Sequence, residues 1–207
     1  MSKIFCNFAA KYLKCSLMIT NYQEYKDYIC CDLKAYQLER VGLFSYFFND
    51  CLRFQLRLRR IEWLYNTSVH HPLRKALCFI EQIINHRLAI RLGFSIPKNV
   101  FGPGLCIVHY GTIVVSPKAQ IGKNCRLHPS TSIGDYNGVP RLGDNVYIGP
   151  GAKLFGAITI GDNVAIGANS VVNHSFSDNV VIAGAPAKVI RSVSSLTLGL
   201  FPETLSK

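Results

Sequence analysis

The chain contains six histidines, His70, His71, His86, His109, His128 and His174. A neutral imidazole titrates close to working pH, so a positioned histidine can take the proton of a reacting hydroxyl. Spacing sorts the six. His70 and His71 stand directly before Pro72, at a helix start, and His86 lies within a helical pattern. His174 is near the end of a repeat. His109 and His128 remain, both in a stretch rich in glycine and β-branched residues. A zinc site would need three convergent ligands. No His-x4-His pair is present to complete one, so no metal is expected. The eight cysteines form no C-x-x-C and have no zinc-finger spacing, which makes them reduced, mostly buried thiols.

The elements that must hold these residues change character near Gly93. Hydrophobic residues are 49% and charged residues 17%, which excludes wholesale disorder. No run of about 18 uncharged apolar residues occurs, so no spanning helix is expected. The start, MSKIFCNFAAKYLKCSLM, has Lys11 and Lys14 inside its apolar stretch. That pattern suits an amphipathic helix rather than a signal peptide and makes the cytoplasm the expected compartment. The net charge is +11, with 14 basic and 7 acidic residues in 1–92 and 9 and 5 in 93–207. Such an excess favours an anionic partner. No nucleic-acid reading element accompanies it, so a nucleic acid is not the expected one.

Before Gly93, apolar residues recur at helical spacing. Helices are predicted over Tyr22 to about Arg40, Leu43 to about Tyr65, and Pro72 to Leu92. Arg53, Arg57, Arg59 and Arg60 on the middle helix read as a solvated face. The alternative for them is contact with an acidic partner or, peripherally, a membrane surface. After Gly93 an internal repeat takes over. Aliphatic residues stand at Ile121, Leu127, Ile133, Leu142, Ile148, Leu154, Ile160, Ile166 and Val172. Every step is six residues except one of nine. The residue after each is usually glycine, read as the bend of a strand–turn unit that tolerates positive φ. Three units make an 18-residue coil, and stacked coils make a solenoid. Three segments follow: helices over 1–92, the solenoid over 93–192, and a tail over 193–207 that reads as a loose end or a strand over a neighbour.

The segments I121-G-K-N-C-R-L127, I148-G-P-G-A-K-L154 and I160-G-D-N-V-A-I166, closed by A183-G-A-P-A-K-V-I190, resemble the hexapeptide-repeat acyltransferases. The preceding helices and H109-Y-G-T-I-V-V115 make the chain similar to serine acetyltransferases and their relatives in surface-polysaccharide synthesis. The resemblance implies an α+β chain whose left-handed parallel β-helix departs from the usual right-handed crossover. It implies acetyl-CoA as co-substrate in a groove between neighbouring β-helices. It also implies a homotrimer or a pair of trimers. His109 matches the catalytic histidine.

Coil arithmetic extends the candidate site. Gly149 and Gly167 are 18 residues apart and share a prism edge, with His128 one coil earlier. His109 falls within a residue or two of that edge. Gly149, Gly151, Ala152, Gly167 and Ala168 would let a pantetheine arm approach the backbone. Lys188 matches a family position that approaches coenzyme A. Three departures concern the acceptor. Val108 stands where the serine enzymes carry an Asp, and Ser95 falls near their upstream carboxylate. Gly138 and Val139 replace an Arg-His pair that binds the serine carboxylate in the family. The insertion D135-Y-N-G-V-P140 offers polar and aromatic groups instead, with Asp135 as candidate partner of the histidine. The expectation is an acetyl-CoA-dependent O-acetyltransferase acting on a sugar or polysaccharide precursor through a histidine base. The alternatives are serine O-acetylation in cysteine synthesis, and a non-acyltransferase β-helix, either carbonic-anhydrase-like with zinc or a scaffold.

Overall fold

Asn21 starts the first helix by accepting the amide of Glu24 at 2.9 Å on its side chain. In this computed structural model, which describes residues 18–69 and 71–202, that helix (α1) runs Tyr22–Ala35. It stops short of the expected Arg40 because Gln37 takes φ 59° and turns the chain out of the helix. The middle helix is broken into α2 (Leu43–Phe48) and α3 (Asp50–Thr67). The break falls at Asn49, whose side chain caps α3 by accepting the amide of Leu52. The last helix, α4, spans Pro72–Leu92 as read, with proline in its first turn and Gly93 ending it at φ 79°. The expected N-terminal amphipathic helix, Cys6, Cys15 and His70 lie outside the described residues. No described helix is long and apolar enough to cross a membrane.

From Phe94 the chain winds into a left-handed parallel β-helix of three sheets. Sheet A stacks β1 (Phe94–Ser95), β3 (Ile113–Val115), β6 (Ser132–Gly134), β9 (Lys153–Phe155) and β12 (Val171–Val172). Sheet B stacks β4 (Gln120–Ile121), β7 (Arg141–Leu142) and β10 (Thr159–Ile160). Sheet C stacks β2 (Cys106–Ile107), β5 (Arg126–Leu127), β8 (Tyr147–Ile148), β11 (Ala165–Ile166), β13 (Val181–Gly184) and an antiparallel β14 (Ala187–Arg191). All nine repeat aliphatics point inward and are at most 5% exposed. Val114 pairs with Ser132, 18 residues on, while Ser132 pairs with Lys153, 21 on. The three-residue insertion therefore loops out at 135–140, between sheets A and B.

The glycines after the aliphatics have a different cause from the one expected. Positive φ falls two residues later, at Asn124, Asn145, Asn163 and Asn179 (φ 54–59°). Their side-chain amides join coil to coil, with Nδ2–Oδ1 distances of 2.7–3.0 Å. Gly122, Gly143 and Gly161 are required because coils stack too closely there for a side chain. A Cβ on Gly122 would lie 2.6 Å from the carbonyl oxygen of Gly143.

An open β-helix end presents unpaired backbone groups. Here helical side chains close it. Tyr36 Oη donates to the carbonyl of Ile107 at 2.7 Å and accepts its amide at 3.1 Å. Gln55 donates to the carbonyl of Leu105. Asp32 accepts the amides of Gly104 and Leu105. Glu62 accepts that of Asn99. Arg59 donates to the carbonyls of Phe101 and Gly102 and to both carboxylates, Asp32 at 2.8 Å and Glu62 at 3.0 Å. Arg59 is fully buried, so the basic cluster is not the solvated face that its composition suggested. Arg57 and Arg60 both pair with Glu81 of α4, and Arg53 pairs with Asp50. One apolar core runs from Phe54, Leu58 and Leu92 into the coils.

The tail is also not loose as far as it is described. Ser195, in a 3-10 turn over Ser195–Leu198, donates its amide to Asn163 O and its hydroxyl to Asn145 O. Phe201 and Pro202 are buried.

Candidate active site

The edge between sheets C and A gathers most of the candidates. Each coil crosses it just after a sheet C strand: at Val108–Thr112, His128–Thr131, Gly149–Ala152 and Gly167–Ser170. Ile107 pairs with Leu127, a step of 20 rather than 18 residues. His109 is therefore displaced from His128 by one residue along the edge but stays on it. His109 and Tyr110 are exposed, with Tyr110 at 73%. The His109 segment is anchored two residues upstream by the Tyr36 hydroxyl on Ile107.

His128 is half-buried, its ring 4.9 Å from that of Tyr147. Its Nε2 is buried without a hydrogen-bond partner. Desolvation, then the charges of Arg126 and His109, push its pKa down to about 4, so it is a neutral group at pH 7. It does not occupy a positive-φ turn slot; Ser130, two residues on, does.

Of the small residues, those at the turn tips face outward. Pro150, Ala168 and Asn169 are exposed and Gly151 is partly so. Gly151 has φ 78°, and a Cβ there would collide with the side chain of Asn169. Gly149 is buried beneath the next coil, and Gly167 is partly covered. Ala152 does not fit the expected role. It is fully buried, its amide is donated to Gly149 O, and its carbonyl accepts the amide of Ser132. The four-residue turn has already bent inward at that point.

Asp135 lies elsewhere. It follows β6 on the edge between sheets A and B, at the far end of a sheet A strand from the histidines. It pairs with Lys118 at 3.0 Å, and that hydrogen bond holds its carboxyl below the ordinary range. Within one chain it is not a partner of His109. Lys188 is exposed on β14, at the opposite end of sheet C from β2. Four strand spacings separate β14 from β5, about 19 Å. His71 stands at the N-cap position of α4 without a side-chain capping bond, His86 is exposed on α4, and His174 bonds Asn173; none joins the edge. No group of three or more His, Cys, Asp or Glu among the described residues could hold a metal ion.

Residues 140–174 match the bacterial transferase hexapeptide (six repeats) family model. The serine acetyltransferase of Helicobacter pylori is 34% identical over 127 residues, which cover 58% of this chain and 74% of that protein. The chain belongs to the hexapeptide-repeat transferase family. The serine acetyltransferase of Synechococcus elongatus is 31% identical over 138 residues, 64% of this chain. The chain spans about half of that relative's length, 53%. Among solved structures, the Brucella abortus serine acetyltransferase aligns with a TM-score of 0.67 at 25% identity, over 84% of this chain and 71% of that one. The Neisseria gonorrhoeae serine acetyltransferase in complex with serine aligns with a TM-score of 0.64 at 25% identity, over 82% and 70%.

Two residues that the repeat analysis passed over belong to this family member's edge. Arg126 and Tyr147 precede inward-facing Leu127 and Ile148 and are Cα partners across β5 and β8. Strand alternation places both on the outer face of sheet C beside His128. The signal was legible: each is one residue before a repeat aliphatic.

Proposed function

We propose that the chain is an acetyl-CoA-dependent O-acetyltransferase for a small hydroxyl acceptor, with His109 as general base. The observation that carries this reading is an exposed imidazole on the same edge as the exposed tips Pro150–Gly151 and Ala168–Asn169. A thin pantetheine arm could lie along those tips and deliver its thioester to the histidine. His109 Nε2 or Nδ1 would take the hydroxyl proton as the acceptor oxygen attacks the thioester carbonyl. Collapse of the tetrahedral intermediate then expels the thiolate of coenzyme A, which recovers the proton. The cofactor-binding set is Gly151, Gly167 and Ala168, with Lys188 for a coenzyme A phosphate; Gly149, covered by the next coil, lets the coils stack closely beneath those tips.

L-serine is the acceptor to test first, because the relatives are named for it. A sugar hydroxyl is the second reading. It is favoured by the insertion loop, where Tyr136 is 68% exposed and residues 135–140 contain no Lys or Arg. We further propose a homotrimer. In such an assembly Asp135 would meet His109 only across a subunit interface. The compartment is proposed to be the cytoplasm; among the described cysteines Cys31, Cys51, Cys78, Cys106 and Cys125 are free thiols, as a reducing compartment would keep them, whereas Cys30 is disulfide-bonded and departs from the reduced state expected of it.

The test follows thiol release from acetyl-CoA with L-serine, monosaccharides and nucleotide sugars as acceptors. His109→Ala should lower kcat by about 10²–10⁴ with the best acceptor and leave the circular dichroism spectrum unchanged. Near-normal turnover by that variant would remove His109 from the role of base.

A further inference from the structure

Arg126 is a partly buried cation with no carboxylate within ion-pairing distance among the described residues. Among the described residues its side chain makes one hydrogen bond, a long one, Nη1 to the Sγ of Cys106 at 3.8 Å. By contrast, all four arginines of α3 have a carboxylate partner. Half-burying a guanidinium without a counter-charge is unfavourable unless an anion arrives to meet it.

Its place in the fold narrows what that anion is. β5 also leads into His128, and Arg126 is the Cα partner of Tyr147, whose ring lies against the His128 imidazole. The neutral His128 leaves Arg126 as the cation beside that ring. The other exposed cations of sheet C, Lys188 and Arg191, are on β14, about 19 Å away across four strand spacings. Coenzyme A carries its phosphates at the end remote from its thiol. With the thioester at His109, those phosphates fall toward β14, four strand spacings from Arg126, whereas β5 is the immediate neighbour of β2, the strand that leads into His109, so Arg126 stands near the reacting centre rather than near the phosphates.

We infer that Arg126 binds an anionic group, carboxylate or phosphate, on the acceptor beside its reacting hydroxyl, with Tyr147 and His128 forming the wall of that subsite. This rests on the acyl-transfer reading and gives it a substrate class: amino acids through the carboxylate, and acidic or phosphorylated sugars. It also supplies the positive charge that Gly138 and Val139 cannot provide from the insertion loop.

Two arms test it. Without acetyl-CoA, the His128 imidazole resonances are followed by NMR during titration with L-serine and L-serinamide, and with glucuronate and glucose. Saturable shifts are expected only with the carboxylate-bearing member of at least one pair. They should be lost in Arg126→Gln and partly kept in Arg126→Lys. With acetyl-CoA and the best acceptor, Arg126→Gln should raise the acceptor KM by about 10–100-fold and leave the acetyl-CoA KM unchanged. Equal shifts with charged and neutral probes, or unaltered binding by Arg126→Gln, would overturn the inference. A rise confined to the acetyl-CoA KM would also overturn it and assign Arg126 to the coenzyme. Anion binding through Arg126 with no thiol release on any acceptor would uphold the subsite and refute the acyl-transfer reading.

Discussion

Replacing Arg59 with methionine strips the cap of the β-helix of its central donor. The methionine fills most of the same volume but leaves the carboxylates of Asp32 and Glu62, 0% and 1% exposed, without their cation. It also leaves the carbonyls of Phe101 and Gly102 without a donor. Breaking one side of a buried ion pair typically costs 3–5 kcal/mol, so Arg59→Met should lose about 4 kcal/mol. That is a large part of the roughly 5–15 kcal/mol that usually separates folded from unfolded chains. For a chain of this size it corresponds to a fall in Tm of about 8–16 °C. Arg57→Met is the internal control. Its partner Glu81 keeps Arg60 at 3.0 Å, and Arg57 is 22% exposed, so the loss should be about 1 kcal/mol or less. Urea and thermal unfolding of both variants at one protomer concentration read the difference. Equal losses would show that the buried triad does not hold helices and solenoid together.

Glycine substitutions should divide by coil spacing. A Cβ on Gly143 would lie 2.9 Å from both the amide nitrogen of Asp162 and the carbonyl carbon of Gly161, whereas one on Gly134 meets nothing within 4 Å. Gly143→Ala should destabilise by about 1–3 kcal/mol, and Gly134→Ala should be neutral or slightly stabilising, as unfolding curves would show. His128 should titrate near 4 by NMR, well below the ordinary value of about 6.5. Its protonation then favours the unfolded chain, so stability is unaffected above about pH 6.5 and falls as the pH drops from there toward 4. Solvent screening of this half-buried group keeps the loss to about 1–2 kcal/mol, and His128→Gln should flatten that part of the stability profile. A measured pKa near 6.5 would contradict the desolvation described above.

The sequence alone determined the solenoid, because a six-residue return of aliphatics has one simple solution: a chain that bends three times per coil and buries every sixth side chain. All nine of those residues are buried. The two ends of the last helix, set by Pro72 and Gly93, were equally legible, since both signals are local. What depended on distant partners was not. Arg59 looks like its neighbours on the helix until Asp32 and the first coil are folded against it, and only then is it the buried one. Asp135 is seven residues from His128 in the chain but on a different edge, because a strand of sheet A intervenes. Periodicity specifies which residues face the core. Which outer residues meet one another depends on register between coils and on the helices that close the open end, and tertiary packing decides both.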